Sequence, residues 1–305
     1  MKFGVVGPGA LGTFLAGILA KKNDVILFGR REISLEEINI EGKTNIRNKI
    51  KYTNEPKLLC GLDCILICTK SYDTKNAING IIEFLEGDEY LLSLQNGLKN
   101  EEILARFVGA NRVIGGITGH GITYIGPGKV IHAGEGDTII GSYSGTNNRM
   151  VTNVAAAFKE SGIDVDVTDN IYGYIWKKVI VNSGINPLTA LTRLRNGEIL
   201  EYDFLHDLMI ETCKEAKKVG KKEVTIPGSD PIKETEKVAH LTAKNRSSML
   251  QDIENKRKTE IGCINGAVID VGRKYGVKTP YNETLYSLVR GKEKSYLSDN
   301  GSPTR

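Results

Sequence analysis

No apolar run in this chain reaches the length of a membrane span, so no transmembrane helix is expected. An excess of one charge is missing too. The 41 lysines and arginines stand against 37 aspartates and glutamates, a formal net charge of +4, too even a balance for the basic face that nucleic acid requires. Histidine is scarce at four residues, and the five cysteines have no histidine cluster to match them, which argues against a metal site. Cys60, Cys64 and Cys68 recur at every fourth position, but Ile65-Leu66-Ile67-Cys68 reads as a buried parallel strand with its thiols inside. A reducing cytosol fits this cysteine usage. No signal-peptide pattern precedes the strand-like Lys2-Phe3-Gly4-Val5-Val6. Glutamine is nearly absent beside many lysines and glutamates, a composition that accompanies heat tolerance.

What is present divides in two. At 305 residues two domains are expected. Apolar runs near 2–6, 24–28, 63–68, 90–94 and 112–117 alternate with helical patterns near 10–21, 73–85 and 99–107, the order of a parallel sheet with helices on both faces. The short runs at 130–132 and 138–140 extend that sheet antiparallel after the turn Gly126-Pro127-Gly128. A helix over 147–160 and a strand over 164–168 complete the first half. Strand signals then stop. The expected class is α/β: a doubly wound, Rossmann-type domain over 1–169, followed by an all-helical domain over 170–305 whose last residues, Ser298 to Arg305, form a frayed tail.

Gly7-Pro8-Gly9-Ala10-Leu11-Gly12 follows the first strand and opens an amphipathic helix. In that context the first glycine permits the tight turn, the second lets backbone approach a pyrophosphate, and the third allows close packing of helix on strand. A glycine turn with no ligand is the competing reading. The second strand ends in Gly29-Arg30-Arg31, where an NAD binder carries an acidic residue. Guanidinium groups suit a 2′-phosphate instead and favour NADP; either arginine can be a solvated bystander. Lys70 and Asn96, at the ends of two further strands, are candidates for the nicotinamide side or the substrate, although Asn96-Gly97 is also a common turn pair.

The second half carries Trp176-Lys177-Lys178-Val179-Ile180-Val181-Asn182-Ser183-Gly184-Ile185-Asn186-Pro187. Positions four apart drift by only about 40° around a helix, so Lys178 and Asn182 share a face. A buried ammonium is costly and is tolerated where it transfers a proton; a lysine on a solvated helix face is the alternative. Proline disfavours helix at the residue before it, so a bend is expected at Asn186.

Taken together, these pieces resemble the ketopantoate reductase (2-dehydropantoate 2-reductase) family over nearly the whole chain. The matching motifs are GPGALG at 7–12, the arginine at 30, CTK at 68–70, QNG at 95–97 and PGKVIH at 127–132. In the second half they are WKKVIVNSGINPLTAL at 176–191, RNGE at 195–198 and NRSSMLQDIENKRKTEIGCINGAVI at 245–269. The resemblance implies reduction of 2-dehydropantoate to (R)-pantoate with NADPH, with Lys178 as proton donor and Glu260 as the essential acid. It also places Asn182, Asn186, Asn196, Asn245 and Ser248 on substrate-binding positions, joined by Asn96. Gly121, beside His120, falls where the family's chain passes the cofactor. Neither His120 nor His132 is assigned a catalytic part.

Each assignment has a plainer competitor. Ser248-Met249-Leu250-Gln251 fits a helix-capping box, Asn196-Gly197 a helix-ending turn, and Glu260, close to Lys256, Arg257 and Lys258, an exposed salt-bridging face. If 248–260 were one helix, Ser248 and Glu260 would stand roughly 18 Å apart along its axis, which favours Ser248 on the substrate and Glu260 near Lys178 and the nicotinamide ribose. The rival functions are an NADP-dependent reductase of another 2-oxoacid and a non-catalytic NADP-binding sensor. The helical domain offers apolar surface for a homodimer; no nucleic acid or membrane partner is expected.

Overall fold

The computed structural model describes residues 1–297; the tail expected over Ser298–Arg305 lies outside the described residues. The chain forms two compact units, the first of Met1–Gln95 and Lys99–Tyr172, the second of Asn96–Leu98 and the residues from Gly173 onward.

The first unit opens β1 (Lys2–Val6), α1 (Ala10–Leu19), β2 (Asp24–Phe28), then β3 (Glu37–Gly42), β4 (Ile46–Lys49) and β5 (Lys51–Thr53). It continues β6 (Cys64–Ile67), α2 (Thr74–Asn79), β7 (Tyr90–Ser93), α3 (Asn100–Val108) and β8 (Val113–Thr118). The last elements are β9 (Gly121–Gly126), β10 (Lys129–Gly134), β11 (Thr138–Ser142), α4 (Arg149–Ser161) and β12 (Val165–Val167). Eight strands make the main sheet in the order β12-β11-β8-β7-β6-β1-β2-β5, parallel throughout except for β11 against β8.

Side chains alternate across a strand, and this divides the core. Val5 and Leu66 join Phe14 and Leu15 of α1 and Val154 and Phe158 of α4 on one face. Val6, Ile65 and Ile67 join Ile78 of α2 and Leu104 of α3 on the other. Both faces are thus covered, as the sheet's near-continuous apolar strands require. Each such buried aliphatic side chain stabilises the fold by roughly 1.5–3 kcal/mol.

Three expectations are corrected here. The run at 130–132 does not extend the main sheet: β10 lies in a second, four-stranded sheet, β4-β3-β10-β9, whose Ile38, Ile40 and Val130 share the core cluster of α1. Only β11 adds to the main sheet antiparallel to its neighbour. The helix expected over 73–85 is cut short at Asn79, with Gly80 as its C-cap and a separate 3-10 turn over Ile82–Phe84. Cys64 is buried in β6 and Cys68 half-buried at its end, but Cys60 lies outside the strand, exposed, its thiol donating to Glu86 at 3.2 Å. Burial pushes the Cys68 thiol up to about 12.

Beyond Val167 every further described element is helical: α5 (Ile171–Thr192), α6 (Asp203–Glu223), α7 (Pro231–Leu241), α8 (Ser248–Glu254), α9 (Asn265–Lys274) and α10 (Pro280–Leu297), with a 3-10 turn over Gly197–Glu201. Trp176, Val179, Ile180, Ile185 and Leu188 are all buried on α5, so apolar side chains cover much of its circumference, as befits a core helix. Pro187 falls inside this helix, which runs without a break past Asn186, where a bend was expected. Among the described residues no helix is long and apolar enough to cross a membrane.

Candidate active site

The turn from β1 into α1 belongs to the first unit and fits a dinucleotide's pyrophosphate. Gly7 has φ +108°, and a Cβ there would lie 3.0 Å from the backbone nitrogen of Thr69. A Cβ on Gly12 would come within 2.0 Å of the Gly7 carbonyl, whereas one on Gly9 would meet nothing within 4 Å. The hexapeptide is therefore closed toward the protein and open outward at Gly9. Gly9 is also the N-cap of α1; it offers no side-chain cap, and the first turn has no acidic residue, so the helix's first amides are left to an anion.

Arg30 and Arg31 follow β2 and are both exposed; the Arg31 carbonyl accepts a hydrogen bond from the Tyr52 hydroxyl. Lys70 is half-buried at the end of β6, where Asp73 N donates to its carbonyl at 2.8 Å. Gln95 clasps the neighbouring strand end, its amide donating to Thr69 O at 2.7 Å and Thr74 Oγ1 at 2.9 Å. Gly121 opens β9. Beside it, His120 Nδ1 and His132 Nε2 lie 3.0 Å apart against the Phe14 ring, and burial lowers both imidazole pKa values.

A second group of residues assembles wholly within the second unit. Lys178, one turn before Asn182 on α5, is half-buried, and desolvation brings its pKa down to about 8 against the opposing pull of the Glu260 carboxylate. Glu260 is only 5 % exposed, which removes the salt-bridged surface face as an account of it. Asn96 Nδ2 donates to Glu260 Oε2 at 3.1 Å, and Leu98 N donates to Cys263 O at 2.9 Å. Between them Gly97 has φ +87°, and a Cβ there would lie 2.6 Å from the Cys263 carbonyl. Glycine is required in this tripeptide because the chain runs directly against the loop that carries Glu260.

That loop was not visible as one. α8 ends at Glu254, and Lys256 takes φ +51°, so no single helix joins Ser248 to Glu260 and the 18 Å separation does not apply. α10 pins the turn: Thr259 N and Oγ1 both donate to Glu293 Oε1 at 2.6 Å, and the Tyr296 hydroxyl donates to Arg257 O at 2.8 Å.

The remaining polar candidates flank the far end of α5. Asn186 is buried and Asn182 half-buried. Asn196 N donates to Asn245 O at 3.0 Å and Asn196 Nδ2 to Thr242 Oγ1 at 2.9 Å, while Asn196 Oδ1 is buried with no hydrogen-bond partner. Asn245 and Ser248 are exposed. Ser247, not Ser248, caps α8: its Oγ accepts from Leu250 N at 3.1 Å and lies 2.6 Å from Thr189 Oγ1 on α5. The capping-box pattern points to Ser248, with Gln251 three residues on, but the cap is Ser247, whose hydroxyl also meets Thr189 in the tertiary structure.

A glycine-rich strand-turn-helix, together with a desolvated lysine beside a carboxylate, defines a dinucleotide-dependent oxidoreductase. The chain belongs to the ketopantoate reductase family: the family described as "Ketopantoate reductase PanE/ApbA" matches residues 3–145, and its C-terminal part matches residues 170–293. The 2-dehydropantoate 2-reductase of Pyrococcus horikoshii is 38% identical, over 96% of this chain and 98% of that protein. The crystal structure of 2-dehydropantoate 2-reductase from Geobacter metallireducens superposes with a TM-score of 0.90 at 26% identity, covering 95% of this chain and 99% of that one. A D-mandelate dehydrogenase in complex with NADH superposes at 0.85 with 27% identity, over 97% of this chain and the whole of the other.

Proposed function

We propose that this protein reduces 2-dehydropantoate to (R)-pantoate with NADPH, a step toward pantothenate and coenzyme A, as a cytoplasmic enzyme. The observation that carries this reading is the Lys178 ammonium, held near pKa 8 beside a Glu260 carboxylate that Asn96 clamps at 3.1 Å.

The chemistry that NADPH would supply when bound is a hydride for the keto carbon of the substrate, so negative charge would develop on the carbonyl oxygen. The Lys178 ammonium faces that charge, stabilises it and gives up the proton that makes the hydroxyl. A donor whose pKa sits close to the working pH is protonated often enough to act and acidic enough to let go. Glu260 favours the protonated amine electrostatically and offsets part of its desolvation. Asn182 and Asn186 supply amides to the substrate from the helix of Lys178, and the unpartnered Asn196 Oδ1 is an acceptor for a substrate hydroxyl. Asn245 and Ser248 complete the substrate set. In the first unit the Gly7–Gly12 turn would hold the pyrophosphate of the cofactor and Arg30 its 2′-phosphate, with Lys70 and Gly121 as further cofactor-binding residues; in the second unit Asn96 and Glu260 are the cofactor-binding candidates. The assembly is read as a homodimer, with no nucleic acid or membrane partner.

The test is loss of reduced-nicotinamide absorbance with 2-dehydropantoate, run with NADPH and with NADH, against an aromatic 2-oxoacid in parallel. Rapid loss with NADPH and 2-dehydropantoate is expected. Faster turnover of the aromatic acid with NADH would replace this reading with that of a mandelate-type dehydrogenase, and NADPH binding without turnover of either acid would leave a sensor.

A further inference from the structure

Pro187 lacks an amide hydrogen, so in α5 the carbonyl four residues earlier, Ser183 O, loses its helical donor. Ser183 is fully buried, where an unpaired carbonyl is costly and water cannot repair it. The missing hydrogen comes from another helix: Asn265 Nδ2 donates to Ser183 O at 3.1 Å.

Asn265 is itself fully buried and held from behind. Its Nδ2 also donates to Asn282 Oδ1 at 3.0 Å; Asn282 Nδ2 in turn donates to Thr212 O at 3.1 Å and to Glu215 Oε2 at 2.9 Å. Both Asn265 donors meet acceptors, so the amide can point only one way. The cost of that orientation is visible, since Asn265 Oδ1 is buried with no partner. Repairing the buried Ser183 carbonyl is reason enough to keep this amide for the fold, but a reason for the site must come from elsewhere.

Placement supplies the reason. Asn265 opens α9, directly after the loop in which Cys263 N and Ile264 N donate to Glu260 O at 2.9 and 3.1 Å. Its acceptor, Ser183, lies between Asn182 and Asn186, little more than a turn beyond Lys178. We infer that Asn265 is a positioning residue, whose amide replaces the hydrogen Pro187 cannot give and so fixes the helix of Lys178 and the loop of Glu260 in one register. This role in turnover rests on the proposed reductase activity; the hydrogen-bond partnership does not.

A double-mutant cycle separates the two. Asn265→Leu should raise the unfolding equilibrium constant by on the order of tenfold to a hundredfold. In a Pro187→Ala background, where residue 187 again donates to Ser183 O, the penalty should shrink by at least about fivefold. Asn265→Leu should also lower kcat by about tenfold or more while the KM for NADPH stays within about twofold, a split that loosened packing alone does not produce. If the leucine variant does not fold, Asn265→Ser carries the same cycle. Equal penalties in both backgrounds, within about twofold, would overturn the partnership, and an unchanged kcat would overturn the positioning role. A wild-type protein inactive on 2-dehydropantoate would instead sink the reductase reading, with the stability cycle still deciding the pairing of Asn265 with Pro187.

Discussion

Raising the pH from 7 to 9 is expected to cut kcat/KM for reduction about tenfold, and replacing Glu260 should move that loss to lower pH. With the Lys178 pKa near 8, about nine in ten molecules hold the donor proton at pH 7, half at pH 8 and about one in ten at pH 9. Activity should therefore be flat below about pH 7 and fall with unit slope on a logarithmic scale above pH 8. Glu260→Gln removes the charge that opposes desolvation, and its carbonyl can still accept from Asn96. The falling limb should then move down by about one pH unit or more. Beyond any pH-independent loss from its place at the cofactor, the variant's defect should grow by about fivefold between pH 6 and pH 8 and by about tenfold by pH 9. NADPH oxidation followed from pH 6 to 9.5 at constant ionic strength and saturating cofactor reads this directly. A limb that stays in place in Glu260→Gln, or a wild-type profile with no limb, would refute the coupling of these two groups.

The same desolvation has a stability counterpart. Lys178 binds its proton more weakly in the folded than in the unfolded chain, so its cost is fully present below about pH 8 and disappears as pH rises through about 10.4; by linkage it amounts to at most about 3 kcal/mol for this half-buried group. Lys178→Met combined with Glu260→Gln should thus unfold at higher denaturant concentration than wild type at pH 7, without turnover, and the gain should fade toward pH 10; a double variant less stable than wild type at pH 7 would show that the attraction between the two charges outweighs their desolvation. Arg30→Ala should weaken NADPH binding by about tenfold or more and leave NADH nearly untouched, measured by titration of cofactor fluorescence; equal loss for both would assign the 2′-phosphate elsewhere.

Much of the scaffold was legible because β1, β2, β6, β7 and β8 are continuous apolar runs whose burial does not depend on their partners. β3 and β4 were missed because each has few apolar residues: Ile38 and Ile40 alternate with polar positions in EINIEG, and IRNK has one. β10 read as a strand where its partner β9 did not, and no local pattern says which sheet a strand will join. At the site, the lysine and asparagines stood out by helical spacing. The Glu260 loop did not, because its turn depends on Glu293 and Tyr296, more than thirty residues downstream. Asn265 gave no local signal at all, since its meaning lies in a proline on another helix.

Asn96–Leu98 belongs to the second unit although the residues on both sides of it belong to the first. The border between the units is therefore crossed three times by the backbone, and a scissor placed at residues 169–172 divides the polypeptide without dividing the machinery cleanly. A fragment starting at Gly173 would carry Lys178 and Glu260 but not Asn96, the group that orients Glu260. Transplanting the helical half onto another nucleotide-binding module would need that borrowed tripeptide brought along, and homologous recombination between relatives is best tolerated where residues 96–98 and the Glu260 loop come from the same parent.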